Sequence, residues 1–224
     1  SESISVGVWV GAGGRHEAPR LAGVSHFLEH MLFKGTPTRS ALAISQAIEG
    51  RGGYLNAYTQ EESTCYYARL PHEYLEQAFD VLADMYLNAV IGEEDFNRER
   101  DVILEEIKMY QDLPQQVAQE KLQEVMFKGH PLGAPLAGDE TALRRMTRET
   151  LLRYKARTYT PSASIFVFAG RIDHAACVAC VERAVGSRRA ARRVHAKRVD
   201  NTVAQERLVC VRKEIAQVHA VVGF

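Results

Sequence analysis

The sequence lacks a net charge and lacks any long apolar run. Its 28 Lys and Arg residues balance 28 Asp and Glu residues, so no overall field attracts nucleic acid or an anionic membrane. No apolar run reaches the roughly 20 residues that a membrane-spanning helix needs. The opening SESISVGVWV is typical of a β-strand, not of a signal peptide. We therefore expect neither nucleic acid nor a membrane span among the partners, which must be inferred from individual sites.

Cysteine is also scarce, with four residues in the chain, and only Cys177 and Cys180 form a CxxC pair. A structural zinc site would need a second Cys or His pair at suitable spacing, and none is visible. We interpret the pair as small apolar residues on a helix, with a redox or metal role as the open alternative. Few cysteines favour a reducing compartment. We expect a bacterial cytoplasm, with the mitochondrial matrix or periplasm as alternatives, because both termini look truncated.

The apolar pattern predicts alternating strands and helices in a chain of 224 residues with 46% hydrophobic composition. ISVGVWVGAG predicts a buried strand, and a helix containing HFLEH follows it and should end before Gly35. YLNAYTQEESTCYYARL predicts two strands around a polar turn, and SIFVFAG predicts another. HEYLEQAFDVLADMYLNAV, EEDFNRERDVILEEIKMYQD and LRRMTRETLLRYKARTY predict helices. The predicted fold class is α+β, with a mostly antiparallel β-sheet packed against α-helices.

Residues 187–200, SRRAARRVHAKRVD, differ in composition from the rest of the chain. They contain six Arg or Lys residues and almost no bulky apolar side chains. A solvated linker fits this composition better than a basic docking patch, which stays the alternative. ERLVCVRK and AQVHAVVGF then predict strands. We therefore divide the chain into an α/β domain at 1–186, a basic linker at 187–200, and a segment at 201–224. That last segment either begins a following homologous domain or supplies the final strands of the same domain.

The pentapeptide HFLEH places three ionisable side chains in an otherwise apolar stretch. On a helix, positions i, i+3 and i+4 share one face, so His26, Glu29 and His30 project together. Two neutral imidazoles one turn apart can bind a zinc ion, and a neighbouring carboxylate can take a proton from water. By itself the pattern is ambiguous, because a lone helical histidine is more often a surface or hydrogen-bonded core residue.

A second helix, EEDFNRERDVILEEIKMYQD, adds two carboxylates that should face the core. Its apolar residues recur at helical spacing, at Phe96, Ile103, Ile107 and Tyr110. Glu99 and Glu106 fall on the same stripe, whereas Glu105 falls on the polar face. Turning an ionised carboxylate toward a core costs several kcal/mol unless a cation or hydrogen bonds compensate it. A metal ion could be that cation, and arginine or backbone partners are the alternative.

HFLEH followed by RERDVILEEI resembles the inverzincin peptidases, the pitrilysin or insulinase family (M16) that includes mitochondrial processing peptidase. GVWVGAGGRHE, LNAYTQEEST and GHPLGAPLAG extend the resemblance over nearly the whole chain. It implies one zinc ion per chain, bound by His26, His30 and Glu106, which follows His30 by 76 positions. It also implies Glu29 as the general base and Glu99 as a second acidic position of the catalytic site that supports the zinc.

The resemblance further implies how substrate and partners are arranged. Asn56, Ala57, Tyr58 and Thr59 match the strand along which family members bind peptide. Residues 1–186 match the zinc-bearing half of a clamshell, which is completed by a second homologous domain or a partner subunit, so a dimer is expected. The implied activity is that of a zinc-dependent metalloendopeptidase acting on extended peptides or unfolded segments. The alternative is a non-catalytic subunit that holds substrate or serves as a scaffold.

Overall fold

A computed structural model of the protein describes residues 2–187, 196–199 and 208–223. Its four strands are β1 (Ser3–Val10), β2 (Tyr54–Thr59), β3 (Thr64–Pro71) and β4 (Ser164–Gly170). The helices before the third strand are α1 (Val24–Leu32) and α2 (Ala41–Ile48). The helices between the third and fourth strands are α3 (Leu75–Asn88), α4 (Glu93–Gln111), α5 (Pro114–Met126), α6 (Glu140–Arg145) and α7 (Arg148–Thr158), and α8 (His174–Val185) follows the fourth.

The strands form one antiparallel sheet in the order β2-β3-β1-β4. The central strand β1 pairs with β3 on one side and β4 on the other, which leaves β2 at an edge. β2 and β3 form a hairpin closed by the backbone hydrogen bond from Gln60 to Ser63. The α+β fold class and its antiparallel sheet are therefore confirmed.

The core lies between one face of this sheet and the helices. Alternate residues of β1, which are Ile4, Val6, Val8 and Val10, are at most 1% exposed. α3 packs across β1 and β3 on this face. α1 ends at Leu32, and Gly35 takes a left-handed conformation with φ of 127° two residues after the C-cap, as its position in the sequence predicted.

The segment LRRMTRETLLRYKARTY differs from its predicted single helix. It forms α6 and α7 with a break at Met146, whose backbone is extended. Thr147 then caps α7, because its hydroxyl accepts a hydrogen bond from the amide of Thr150. Threonine is favoured at a helix N-cap and only moderately tolerated inside a helix, so a new helix begins there.

The C-terminal segment contains no helix or strand within its described residues. Residues 208–223 lack regular secondary structure and are largely exposed, so the predicted strands do not form there. A strand needs a hydrogen-bonded neighbour to be stable. Residues 188–195, 200–207 and 224 lie outside the described residues, and the division at 187–200 and 201–224 stays a prediction. Among the described helices, none combines the length and hydropathy needed to cross a membrane.

Candidate metal centre

Helix α1 is held at its first turn by a buried carboxylate. Its N-cap, Gly23, has φ of 88° and offers no side chain. The carboxylate of Glu17 accepts hydrogen bonds from the backbone amides of Gly23 at 2.7 Å and Ser25 at 2.8 Å instead. Glu17 thereby satisfies amides that begin the helix and have no partner within it. Burial raises the pKa of Glu17 to about 7, and the hydrogen bonds from Ser25 and Gly23 oppose that rise.

α1 packs against α4 so that the inward side chains of the two helices meet. Phe27 of α1 stacks on Phe96 of α4, with ring centroids 4.9 Å apart. This contact fixes the register in which the polar residues beside it face each other. Nε2 of His26 lies 3.8 Å from Oε2 of Glu106, and Nε2 of His30 lies 3.6 Å from the same oxygen. One potential ligand atom from each of the three side chains lies within 4.8 Å of the other two.

The donor set fits a divalent cation such as zinc. Burial, with a smaller effect from His30, lowers the pKa of His26 to about 4, so this imidazole is neutral and its lone pair is available. Oε2 of Glu106 is buried and has no hydrogen-bond partner among the described residues. Two imidazoles and one carboxylate are a common zinc ligand set that leaves a coordination position open. A cation between the three groups would compensate the buried oxygen of Glu106.

Glu99 lies beside this cluster but has different contacts. Its Oε2 lies 3.1 Å from Nδ1 of His30, and its Oε1 lies 2.6 Å from Nζ of Lys34. Glu99 is 5% exposed, so both contacts are made within the protein. Because the contact with Glu99 occupies Nδ1, the Nε2 atom of His30 is the one that faces Glu106. Glu99 therefore contacts His30 at its other ring nitrogen and is not one of the three converging groups.

Glu29 projects from α1 toward the edge strand. Its carboxylate accepts a hydrogen bond of 2.6 Å from the hydroxyl of Thr59 at the end of β2. Burial raises the pKa of Glu29, while the hydrogen bond from Thr59 and the charge of His30 oppose the rise. Burial therefore makes this carboxylate a stronger proton acceptor than a solvated one.

Glu105, the sequence neighbour of Glu106, points away from the cluster. Its side chain is 73% exposed and pairs with Lys108 at 2.7 Å on the outer face of α4. The helical stripe that assigned Glu106 inward and Glu105 outward therefore agrees with the observed packing.

The predicted substrate strand lies in β2, whose outer edge has no neighbouring strand among the described residues. Asn56 and Tyr58 are exposed, whereas Ala57 and Thr59 are half-buried on the side of the sheet that faces the helices. Thr59 thus connects the open edge to Glu29. An open edge presents backbone donors and acceptors to which an extended peptide can pair.

Sequence reasoning missed three contacts of this site. The sequence contained a signal for the contact of Lys34, because Lys34 is a charged residue in the apolar stretch MLFKG one turn after His30. The sequence contained no such signal for Glu17 or for the contact of Thr59 with Glu29, because these contacts join segments that only the fold brings together.

Cys177 and Cys180 are buried and form no disulfide in α8, and the described residues contain no candidate metal group that includes them.

Comparison with known proteins identifies similar sequences over the whole length of the chain. The family profile described as Insulinase (Peptidase family M16) matches residues 1–140. An uncharacterized zinc protease of Mycobacterium tuberculosis is 42% identical over 225 residues, covering 99% of this chain and 51% of that protein. A probable mitochondrial-processing peptidase subunit beta of Arabidopsis thaliana is 40% identical, covering 82% of this chain and 34% of that protein. The chain thus spans about half the length of the bacterial relative.

Solved structures show the same fold. A protease from Helicobacter pylori has a TM-score of 0.80 at 21% identity, covering 92% of this chain and 48% of that one. An inactive domain of an M16 peptidase from Pseudomonas fluorescens has a TM-score of 0.77 at 18% identity, covering 87% of this chain and 48% of that one. At these identities the likeness concerns the fold alone, and it matches a half of each longer chain.

Proposed function

This chain belongs to the insulinase family, peptidase family M16, and from that premise we propose that it is the zinc-bearing half of a metalloendopeptidase. One observation carries the proposal: potential ligand atoms of His26, His30 and Glu106 lie close together. The Oε2 atom of Glu106 at this point is buried and has no hydrogen-bond partner among the described residues. Relatives named zinc proteases support the general class of activity.

The side chains divide into metal-holding and proton-handling groups. His26, His30 and Glu106 would hold one zinc ion. When bound, the ion supplies Lewis acidity that promotes ionisation of water and polarises the scissile carbonyl. Glu29, with its raised pKa and its contact to Thr59, accepts a proton from the attacking water and passes it to the leaving amine. Glu99 keeps the imidazole of His30 in position through Nδ1.

The substrate is an extended peptide or an unfolded segment of a protein. It would pair with the open edge of β2 beside Asn56 and Tyr58, because backbone hydrogen bonds along an edge accept many sequences. Thr59 ends this strand at Glu29, so a peptide that follows β2 is directed toward the proposed base.

Full activity requires a second half, supplied by the same gene product or by a partner subunit. The edge of β2 has no neighbouring strand among the described residues, whereas catalysis gains from enclosing and orienting the substrate. The relative from Bacillus subtilis, 38% identical, is matched over only 54% of its length.

The four cysteines, all unpaired, fit a reducing compartment such as a bacterial cytoplasm.

The decisive experiment counts bound zinc and measures peptide hydrolysis, with the chain alone and with its complementary half. We expect one zinc per chain, slow cleavage by the chain alone, and a concentration-dependent gain when the second half is added. Glu29→Gln should keep the zinc and lower hydrolysis by roughly 10²- to 10⁴-fold, the range for loss of a general base. Glu105→Gln, on the outer face of α4, is the matched control.

A non-catalytic subunit is the second candidate, and the similarity to an M16 domain described as inactive favours testing it. In that case the completed protein would bind peptide without hydrolysing it, and Glu29→Gln would change nothing. Full activity from a dilute monomer of this chain would instead contradict the need for a second half.

A further inference from the structure

We propose that Lys34 is a positioning residue of the metal centre, acting through Glu99 to orient His30. The inference rests on the zinc site proposed above and adds a group that neither contacts the metal-binding cluster nor takes part in proton transfer. The three side chains form a continuous line, from the ammonium of Lys34 through both oxygens of Glu99 to the imidazole of His30.

The first step concerns the charge of Glu99. A buried carboxylate is costly without a cation or several donors. The ammonium of Lys34 lies 2.6 Å from Oε1 and is the one lysine or arginine group within ion-pair distance of Glu99 among the described residues. Its side chain is 30% exposed, so the cation keeps part of its hydration while compensating a carboxylate that is 6% exposed. Lys34 therefore gives the buried carboxylate of Glu99 an ion-pair partner.

The second step concerns His30. An ionised carboxylate accepts hydrogen bonds but cannot donate them. Oε2 of Glu99 holds Nδ1 of His30 at 3.1 Å, which leaves Nε2, 3.6 Å from Glu106, as the ring nitrogen that faces the cluster. Without Lys34, Oε1 of Glu99 loses its ion-pair partner and the carboxylate is free to turn toward water, so the ring of His30 loses the contact that fixes its orientation.

The third step concerns the backbone that carries Lys34. Lys34 follows α1 directly, and the turn after it is fixed by contacts outside the metal centre. The amide of Val90 donates to the carbonyl of Gly35 at 2.9 Å. Asp84 accepts from the hydroxyl of Thr36 at 2.7 Å and pairs with Arg39. The backbone that carries Lys34 is therefore positioned by contacts that do not involve the proposed metal ligands.

The test compares Lys34→Met with Lys108→Met. Both replacements keep much of the aliphatic stem and remove an ammonium that pairs with a glutamate of α4, but the Lys108 pair is exposed. The readout is the zinc dissociation constant of the whole chain, from competition with a chelator, and unfolding of the metal-free protein monitors folding. We expect Lys34→Met to weaken zinc binding by about tenfold, the lower end of the range for groups beyond the ligands. Lys108→Met should leave the constant unchanged.

A double-mutant cycle with Glu99→Gln separates positioning from general stability. If Lys34 acts through Glu99, Lys34→Met should cause no further loss of zinc affinity in the Glu99→Gln background. An equal loss in both backgrounds would overturn the proposal, as would wild-type affinity in Lys34→Met. Lys34→Gln, which keeps a donor, replaces Lys34→Met in the same cycle if that variant does not fold. Failure of the unmodified chain to bind zinc would refute the proposed function instead, so the two failures are distinguishable.

Discussion

Glu99 and Glu106 lie seven residues apart on the inward side of α4, yet their surroundings differ. Both oxygens of Glu99 are paired, one with Lys34 and one with His30. Glu106 is more exposed, at 29% of its side chain, but its Oε2 is buried and has no hydrogen-bond partner within the described residues. A buried polar atom without a partner needs an explanation, and a bound ion is a common one. The difference supports the proposal that the metal lies at Glu106 and that Glu99 has a supporting role.

The largest effect that tests this comparison should come from Glu106→Gln. Zinc affinity should fall by more than the roughly 10- to 100-fold typical of groups outside the ligand set. The free energy of unfolding of the metal-free protein should stay equal or rise, because the amide removes a carboxylate that no described residue compensates. Chelator competition and urea unfolding measure the two quantities. Glu105→Gln should change neither, and identical behaviour of the two variants would reverse the assignment on α4.

Glu99→Gln should have a smaller effect on the metal and the opposite effect on stability. Zinc affinity should fall by about 10- to 100-fold, because His30 loses its orienting carboxylate. The metal-free protein should lose about 1 to 3 kcal/mol, since Lys34 loses its ionic partner and Nδ1 of His30 faces a neutral amide, a weaker acceptor than a carboxylate. The same two assays apply. If Glu99→Gln removed zinc as completely as Glu106→Gln without lowering stability, Glu99 would be a ligand.

Glu17 provides a third carboxylate for the comparison, because it is buried and bonded to backbone amides, with no ion-pair partner among the described residues. Its folded-state pKa, about 7, lies above the unfolded value of about 4.5. The contribution of protonated Glu17 to the free energy of unfolding is therefore fully present below pH 4.5. It is lost as pH rises toward 7, because the unfolded chain releases its proton at a lower pH than the folded chain. Each pH unit in that window should remove up to about 1.4 kcal/mol.

Glu17→Gln isolates this effect from the other titrating groups. The difference in unfolding free energy between the metal-free variant and the unmodified chain should change across pH 4.5 to 7 and level off outside that range. A difference that does not vary with pH would mean that the pKa of Glu17 is the same in the folded and the unfolded chain, and it would contradict the rise caused by burial.

The smallest effect should come from the cysteine pair of α8. Cys177→Ala and Cys180→Ala remove buried but unpaired thiols that lie apart from the candidate metal group. Zinc content should stay at one per chain, with a loss of stability of about 1 kcal/mol per substitution, typical of a small core change. Metal analysis checks this, and a loss of zinc in either variant would revive the CxxC interpretation.

The sequence predicted which side chains share the candidate metal face, because helical periodicity within a single helix is visible in the sequence. His26, Glu29 and His30 share a face of α1 by spacing alone, and the stripe on α4 separates Glu106 from Glu105 in the same way. The antiparallel sheet was predicted equally well from the hairpin around residues 60–63. The break between α6 and α7 was missed because the apolar spacing continues across the break. The helix is interrupted there by a local feature, the cap at Thr147.

By itself the sequence determined the α+β fold class, the helix with HFLEH and the carboxylates that face it, since each depends on neighbouring residues along one element. Only the tertiary structure decided that Lys34 pairs with Glu99, that Glu17 caps α1, and that Thr59 contacts Glu29. These contacts join residues that are 6 to 65 positions apart. They depend on how α1, α4 and the β2 edge pack together, and that packing is set by the shared apolar core, not by any local pattern.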